Sequence, residues 1–232
     1  MPDPNSLPLY RQVSDILLRD IAAGRLLEGE RLRPEREMAA SYRVSVGTLR
    51  KALADLTARG HLERRQGSGN YVRHTRGVGG VYAFFRLDLL GGGGRPTAEG
   101  LDVRRMAKPA DAPEFGPSSE AHRIRRIRSL SDIPCVAEEI WLDASWAEEV
   151  TGEDIAGALY LFYASRLGLR IARAEDRVGI GEMPDWGTAA GPAAGAPCGF
   201  VERISWDQHG QRAEYSRSWF DPSKARYVAR MQ

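Results

Sequence analysis

The first 76 residues carry three short runs of helical periodicity and then switch to a period of two. A first helix is predicted over residues 9–21 and a second over residues 35–42. A third is predicted after Ser45, whose hydroxyl can cap it, and ends at Gly60. Helices this short must pack on one another to bury their apolar sides. Few folds therefore remain open to this part of the chain.

After Gly60 the pattern predicts two short strands, over residues 62–65 and 70–72, around a glycine-bearing turn. Three helices followed by a hairpin predict a winged helix-turn-helix, in which the third helix enters the major groove of DNA. Its outward positions are Gly47, Thr48, Arg50 and Lys51, and the hairpin adds Arg64 and Arg65. A solvated helix face is the alternative interpretation. The combination of a basic face, a capped helix start and a basic hairpin favours DNA binding.

Charge is divided unevenly along the chain, although the total is only +2. Residues 1–76 hold 14 Lys and Arg against 9 Asp and Glu, which gives +5, and the remainder holds 19 against 22, which gives −3. A glycine-containing stretch at residues 76–80 lies at the division and is predicted to be a linker. The basic first part indicates a polyanionic partner, but charge alone gives no sequence specificity.

Composition excludes several classes of protein. With 232 residues and 42% hydrophobic content, the chain is expected to be globular. It has no apolar run long enough for a membrane helix and no signal-peptide pattern at its start, so a cytoplasmic protein without a membrane partner is expected. Cys135 and Cys198 match no metal-ligand spacing. Neither a metal nor a cofactor is predicted.

The motifs of the first part, taken together, resemble the GntR family signature almost without a gap over residues 8–73. They are Pro8-Leu9-Tyr10-Arg11-Gln12, Gly24-Arg25-Leu26, Leu32, Glu35-Arg36-Glu37-Met38-Ala39, Val44-Ser45, Thr48-Leu49-Arg50-Lys51-Ala52-Leu53 and Arg64-Arg65-Gln66-Gly67-Ser68-Gly69. The resemblance implies that Arg36 and Arg50 contact bases or phosphates and that Ser45 and Thr48 bond phosphates. It places Gly67, Ser68 and Gly69 at the tip of the wing.

Two positions depart from the family pattern. Arg33-Pro34 stands where the family usually has Pro-Ser, so a serine cap is lost and Arg33 becomes an extra candidate DNA contact. Val46 stands where the family often has Arg. The complete predicted DNA-binding set is Arg33, Arg36, Ser45, Gly47, Thr48, Arg50, Lys51, Arg65, Gly67, Ser68 and Gly69.

The part of the chain after residue 76 is predicted to contain both strands and helices. Strand pairs are predicted over 124–130 with 136–142 and over 200–206 with 213–220, and a helix over 154–167. Further strands are predicted over 82–87 and 169–175. Gly91 to Gly94 is interpreted as a flexible loop, because no phosphate-loop ending follows it. Hairpins with intervening helices predict an α+β domain on an antiparallel sheet.

Counting by twos places charged residues on apolar faces of two of these strands. Arg126 and Arg128 share a face with Ile124 and Leu130, and Glu138 shares a face with Val136, Ile140 and Leu142. Such charges need partners. They form either a structural ion pair or a pocket in which the arginines bind an anion, and the pattern itself leaves both interpretations open.

This part resembles the UTRA effector domain of the HutC subfamily, a fold similar to chorismate lyase, over residues 81–227. The resemblance rests on Gly94-Arg95-Pro96-Thr97, Arg126-Ile127-Arg128 with Pro134 and Glu138, Arg173 with Glu175, and Arg203 with Glu214-Tyr215. It implies that Arg126 and Arg128 hold a phosphate or carboxylate, that Glu138, Arg173 and Glu214 bond polar groups, and that Phe220 forms a wall. Arg95, Thr97 and Ser216 complete the predicted effector-binding set. The stretch Gly187 to Cys198 departs from the family pattern.

The resulting prediction is a two-domain α+β regulator with a DNA-binding domain over 1–75, a linker over 76–80 and an effector-binding, dimerising domain over 81–232. We expect a homodimeric repressor that binds a palindromic operator in double-stranded DNA and is released by a small anionic metabolite, such as a sugar phosphate or carboxylate. A lyase-like enzyme is the alternative, but the four scattered histidines, His61, His74, His122 and His209, offer little acid-base chemistry. A non-specific nucleoid-type binder would require a basic second part.

Overall fold

The computed structural model describes residues 8–22, 26, 29–73, 84–94, 96–155 and 159–229. The chain divides into two compact units, and the division falls between Arg86 and Leu87. Residues 227–229 belong with the first unit, where the Val228 amide donates to the Arg86 carbonyl. The predicted linker, 76–80, lies outside the described residues, so the predicted domain limits of 75 and 81 stay predictions.

The first unit contains the three predicted helices: α1 (Leu9–Ala22), α2 (Glu35–Ser41) and α3 (Val46–Ala58). Helix α3 starts where Ser45 accepts a hydrogen bond from the Thr48 amide at 3.0 Å, which satisfies one of the free donors of the first turn. The apolar sides of the helices meet in one core, in which each fully buried aliphatic side chain contributes roughly 1.5–3 kcal/mol. Its buried members are Val13, Leu17, Leu18, Ile21, Leu32, Met38, Ala39, Leu49, Ala52, Leu53, Leu56, Leu62 and Val72.

The hairpin consists of β1 (Leu62–Arg65) and β2 (Gly69–Val72), paired antiparallel from Leu62 opposite Val72 to Arg65 opposite Gly69. Gly67, at φ 72°, allows the turn. The segment before α2 also pairs with β2, because Arg31 bridges to Tyr71 and the Leu32 amide donates to the Asn70 carbonyl. This third member of the wing was not predicted from the sequence. Together these elements confirm the winged helix-turn-helix.

The second unit is built on a six-stranded antiparallel sheet, which confirms the predicted α+β class. The order across the sheet is β4-β5-β6-β9-β8-β7, and a separate pair joins β3 to β10. The strands are β3 (Leu87–Leu89), β4 (Pro96–Ala107), β5 (Glu120–Leu130), β6 (Ile133–Asp143), β7 (Arg173–Glu182), β8 (Pro197–Trp206), β9 (Arg212–Phe220) and β10 (Ala225–Tyr227).

Each face of this sheet is covered by short helical segments. On one face, α4 (Gly152–Ile155), α5 (Leu159–Phe162) and a π-helical turn (Tyr163–Leu167) pack on Ile124, Ile140 and Leu142. On the other, a 3₁₀ helix (Asp185–Ala190) packs on Ile127 and Ala137 through Trp186 and Ala190. The paired strands place Arg126, Glu138 and Glu214 on the first of these faces.

Several predicted elements of the second unit have different bounds. The helix predicted over 154–167 begins earlier and ends in π geometry at Gly168, whose φ of 66° ends it. The strand predicted from 169 begins at Arg173. Among the described residues of the strand predicted over 82–87, only Leu87 is in a strand, and β4 was not predicted at all. The segment 187–198, where the family pattern fails, contains the end of the 3₁₀ helix and the start of β8.

Candidate DNA-binding and effector-binding sites

The outward face of α3 carries the residues predicted to contact DNA. Leu49, Ala52, Leu53 and Leu56 are buried, which leaves Gly47, Arg50 and Lys51 exposed on the other side. At the helix start, the Ser45 and Thr48 hydroxyls lie 2.8 Å apart. Hydroxyls and free amides at a helix N-terminus favour an anion such as a phosphate group.

Arg50 is held by a carboxylate on the neighbouring helix. Its Nε donates to Glu35 Oε2 at 2.7 Å while the side chain remains 68% exposed. Arg33 and Arg36 are also exposed, and Arg33 reaches the Ser41 hydroxyl at 3.5 Å. Because Glu35 accepts from Arg50, the arginine is oriented before DNA arrives, and contact with a base edge requires it to leave or share that carboxylate.

The wing presents a second basic group beside its glycine turn. The Arg65 guanidinium lies 4.2 Å from the centre of the Tyr71 ring, and its Nε contacts Glu63 at 3.4 Å. The Ser68 hydroxyl lies 2.7 Å from the Tyr71 hydroxyl. A Cβ atom at Gly67 would meet nothing within 4 Å, so the tip is open to a groove. The predicted wing residues are therefore brought together around Tyr71.

The predicted effector residues Arg126, Arg128 and Glu138 form one buried cluster. Arg126 is 1% exposed and donates through Nε and Nη2 to Glu138 Oε2, and Arg128 Nη2 reaches the same oxygen at 3.2 Å. Burial alone would raise the pKa of Glu138, but the two arginine charges outweigh it and hold that pKa at about 2. One carboxylate thus faces two guanidinium groups.

One donor of this cluster is unused. Arg126 Nη1 is buried and has no hydrogen-bond partner among the described residues. A buried charged donor without an acceptor is costly, and a ligand or water bound beside Arg126 would satisfy it.

Glu214 lies on the same face of the sheet and is surrounded by hydroxyl groups. It accepts from Tyr160 at 3.0 Å, from Tyr163 at 2.7 Å and from Ser205 at 3.0 Å. Burial raises the pKa of Glu214 more than these donors lower it. Neither tyrosine was predicted from the sequence, although their spacing of three on a predicted helix was a usable signal.

An ion pair on the outer strands borders this polar group. Arg203 donates to both carboxylate oxygens of Asp176, at 2.6 and 2.7 Å, and lies opposite Ser216 on β9. Ser216 and Phe220 are each 7% exposed on the same face. The structure therefore brings together Arg126, Arg128, Glu138, Glu214, Ser216 and Phe220 of the predicted set.

The remaining predicted effector residues are not in this group. Arg173 starts β7 opposite Trp206, 66% exposed, with its guanidinium 4.3 Å from the centre of that ring. Since Asp176 faces the cluster, strand alternation turns Arg173 to the opposite face. Thr97 lies opposite Ser129, so it points away from the face of Arg128. Arg95 lies outside the described residues.

Two cavities in the second unit lie elsewhere. One, of about 740 Å³, is lined by Phe115, Trp146, Trp206 and Arg212 among others, and one of about 590 Å³ lies between β4 and Ile155. Neither is lined by Arg126, Arg128 or Glu138. Across the described ranges, no three histidine, cysteine or acidic side chains are grouped to hold a metal. No helix in those same ranges is long and apolar enough to cross a membrane.

Comparison with known proteins gives matches to both units. The gntR family of bacterial regulatory proteins matches residues 9–72, and the UTRA domain matches residues 92–226. The regulator SmoD of Agrobacterium fabrum is 53% identical over 98% of this chain and 97% of its own. The transcriptional repressor NagR of Bacillus subtilis is 25% identical over 96% and 94%.

A solved structure has the same fold. The crystal structure of YydK from Bacillus subtilis superposes with a TM-score of 0.56 at 21% identity, covering 97% of this chain and all of that one. These matches cover both units and identify the family of the whole chain. It belongs to the GntR family of bacterial regulatory proteins, as a transcriptional regulator that combines the family's helix-turn-helix with a UTRA domain of the HutC type.

Proposed function

We propose that this protein is a repressor that binds a palindromic operator as a homodimer and leaves it when a small anionic metabolite occupies the UTRA domain. The observation that carries the proposal is the buried cluster in which Arg126 and Arg128 share the single carboxylate of Glu138. Within this cluster the buried donor Arg126 Nη1 has no hydrogen-bond partner among the described residues. An anion would accept from it and would be attracted by the buried guanidinium charge.

The chemistry around the cluster indicates more than a bare anion. Glu214 with its hydroxyl partners, and Ser216 beside Arg203, offer acceptors and donors suited to hydroxyl groups. Phe220 supplies an apolar wall. A compound with an anionic group at one end and hydroxyls at the other, as in a sugar phosphate or sugar carboxylate, uses all of these groups.

The DNA-binding part of the proposal rests on the α3 face and the wing. Arg36, Arg50 and Lys51 would contact bases or phosphates, with Arg33 as a further cation, and Ser45, Gly47 and Thr48 would approach a phosphate. Arg65, Gly67, Ser68 and Gly69 would enter the neighbouring minor groove. In a dimer with two-fold symmetry, each DNA-binding unit contacts one half-site, so the operator is expected to be palindromic. The relative NagR is named as a transcriptional repressor, which supports a repressor role for this chain.

We also propose that the chain has no catalytic role. The second unit contains His122, whose Nε2 lies 2.9 Å from the Ala147 carbonyl oxygen, and His209 in an exposed turn. Neither is next to a nucleophile in the arginine cluster, which is built from ion pairs suited to holding a charge.

The proposal is tested by fluorescence anisotropy with DNA from upstream of the protein's own gene, at several salt concentrations and with unrelated DNA as competitor. We expect binding that survives the competitor and is lost on adding one member of a panel of sugar phosphates and sugar carboxylates. The Arg126→Ala variant should bind the same DNA and no longer respond to that compound. Normal release of Arg126→Ala would disprove the anion site, and loss of binding to competitor would disprove specific recognition of this DNA.

A further inference from the structure

Strand β7 forms one edge of the six-stranded sheet. The C-terminal half of this strand is apolar and exposed. Strand β7 pairs with β8 without interruption from Arg173 opposite Trp206 to Glu182 opposite Pro197. Val178 is 53% and Ile180 84% exposed, and residues 178–181 carry no charge. A long edge strand of this kind is a template for pairing with another strand.

The backbone of β7 has the groups that such pairing needs. In an antiparallel ladder, alternate residues direct their N–H and C=O groups toward the neighbouring strand, and the others direct them outward. The strand contains no proline, and its register with β8 contains no bulge. Two common devices that block an edge are therefore missing from β7.

The charges of β7 exclude several registers in which two copies of the strand could pair. If two copies pair antiparallel in one continuous sheet, a two-fold axis perpendicular to the sheet relates them, and each residue lies opposite one of the same face. Registers centred on Asp176 or Arg177 place a charge opposite its own copy, and a register centred on Gly179 places Asp176 opposite Glu182. Each of these is disfavoured because like charges oppose.

A register centred on Val178 places no like charges directly opposite one another and uses most of the strand, with Arg177 diagonal to the partner's Arg177 and Asp176 diagonal to the partner's Glu182. Residues 174–182 then pair, with Val178 opposite the partner's Val178 and Asp176 opposite the partner's Ile180. Ile180 lies diagonally beside the partner's Val178, so the four exposed apolar side chains cover one another. A register centred on Ile180 also avoids like charges but pairs only residues 178–182 of the strand.

We propose that β7 is the dimerisation edge of this protein, and that two copies join there into one twelve-stranded sheet with the two-fold axis at Val178. This inference rests on the proposed homodimer and adds the surface and register to it. The partner is a second copy, because this register places no like charges directly opposite one another and brings the exposed apolar side chains of the two strands together.

Cysteine cross-linking of the full-length chain tests the register. Paired Cα atoms on neighbouring antiparallel strands lie about 4.5–5.5 Å apart, within the range of a disulfide. Val178→Cys should therefore form a covalent dimer under mild oxidation on a non-reducing gel. Ile180→Cys is the matched control, because the two copies of position 180 would lie about 13 Å apart along the strands and should not link. The unsubstituted chain, whose Cys135 and Cys198 are buried, supplies the background.

Light scattering after gel filtration tests the surface independently of the register. Ile180→Lys should change the mass from dimer to monomer, whereas Leu101→Lys, at a 48% exposed site on the opposite edge strand β4, should leave a dimer. Tryptophan fluorescence checks that both variants are folded. A dimeric Ile180→Lys, or linkage at 180 and not at 178, overturns the β7 proposal while the homodimer stands. A wild-type chain that is monomeric with and without operator DNA overturns the homodimer itself.

Discussion

Replacing Glu138 by glutamine should destabilise the second unit by an amount that the structure permits to be worked out. The variant removes the one carboxylate that Arg126 and Arg128 share, while it keeps the size of the side chain. The pKa of Glu138 is about 2 in the folded chain against 4.5 as its ordinary value. At about 1.4 kcal/mol per pKa unit, the interaction is worth roughly 3 kcal/mol. Removal of one partner from a buried pair costs a similar roughly 3–5 kcal/mol.

The pH dependence follows from the direction of the same shift. Because the folded pKa is lowered, this stability is fully present above about pH 4.5 and is lost as the pH falls toward 2. The wild-type chain should therefore lose stability across that window more steeply than Glu138→Gln, in which the group does not titrate.

Urea unfolding of the full chain, followed by intrinsic tryptophan fluorescence, measures this effect. The five tryptophans, Trp141, Trp146, Trp186, Trp206 and Trp219, all lie in the second unit, so the signal reports that unit alone. Glu149→Gln, at an exposed carboxylate, is the matched control and should change the free energy of unfolding little. Equal stability of Glu138→Gln and Glu149→Gln at pH 7 would refute the view that Glu138 is the counter-ion of two buried arginines. Added inorganic phosphate should stabilise Glu138→Gln more than the wild type, since the variant has more uncompensated positive charge.

Three further substitutions test the two sites. Arg50→Ala should weaken operator binding by about 1–3 kcal/mol in anisotropy titrations if Arg50 reads a base edge, and an unchanged affinity would contradict its placement on DNA. Ser45→Ala should destabilise the start of α3 by about 0.5–2 kcal/mol, because it removes the hydroxyl that accepts from the Thr48 amide. Circular dichroism of the helices during urea unfolding measures this change. Gly47→Ala is the control, because it leaves the Ser45 cap in place. Arg173→Ala should leave the effector response intact, because the Arg173 guanidinium stacks on Trp206 away from the arginine cluster. A lost response would show that Arg173 does contribute to effector binding.

The local patterns of the chain were sufficient for the first unit. Apolar spacing, the Ser45 cap and the glycine turn act within a few residues of one another, so each could be identified before the tertiary structure was known. The third member of the wing was missed because Arg31 pairs with Tyr71, forty residues away, and no local period signals such a pairing.

In the second unit, strand alternation correctly placed Arg126 and Arg128 on the apolar face of one strand and Glu138 on the apolar face of another. Alternation is a property of each strand, so the sequence by itself determined which side chains share a face. Only the tertiary structure decided which strands are neighbours and which edge they leave free, because pairing between distant segments depends on the sheet order. That order brings Tyr160, Tyr163 and Ser205 to Glu214, turns Arg173 away from them, and leaves Ile180 exposed at the sheet edge.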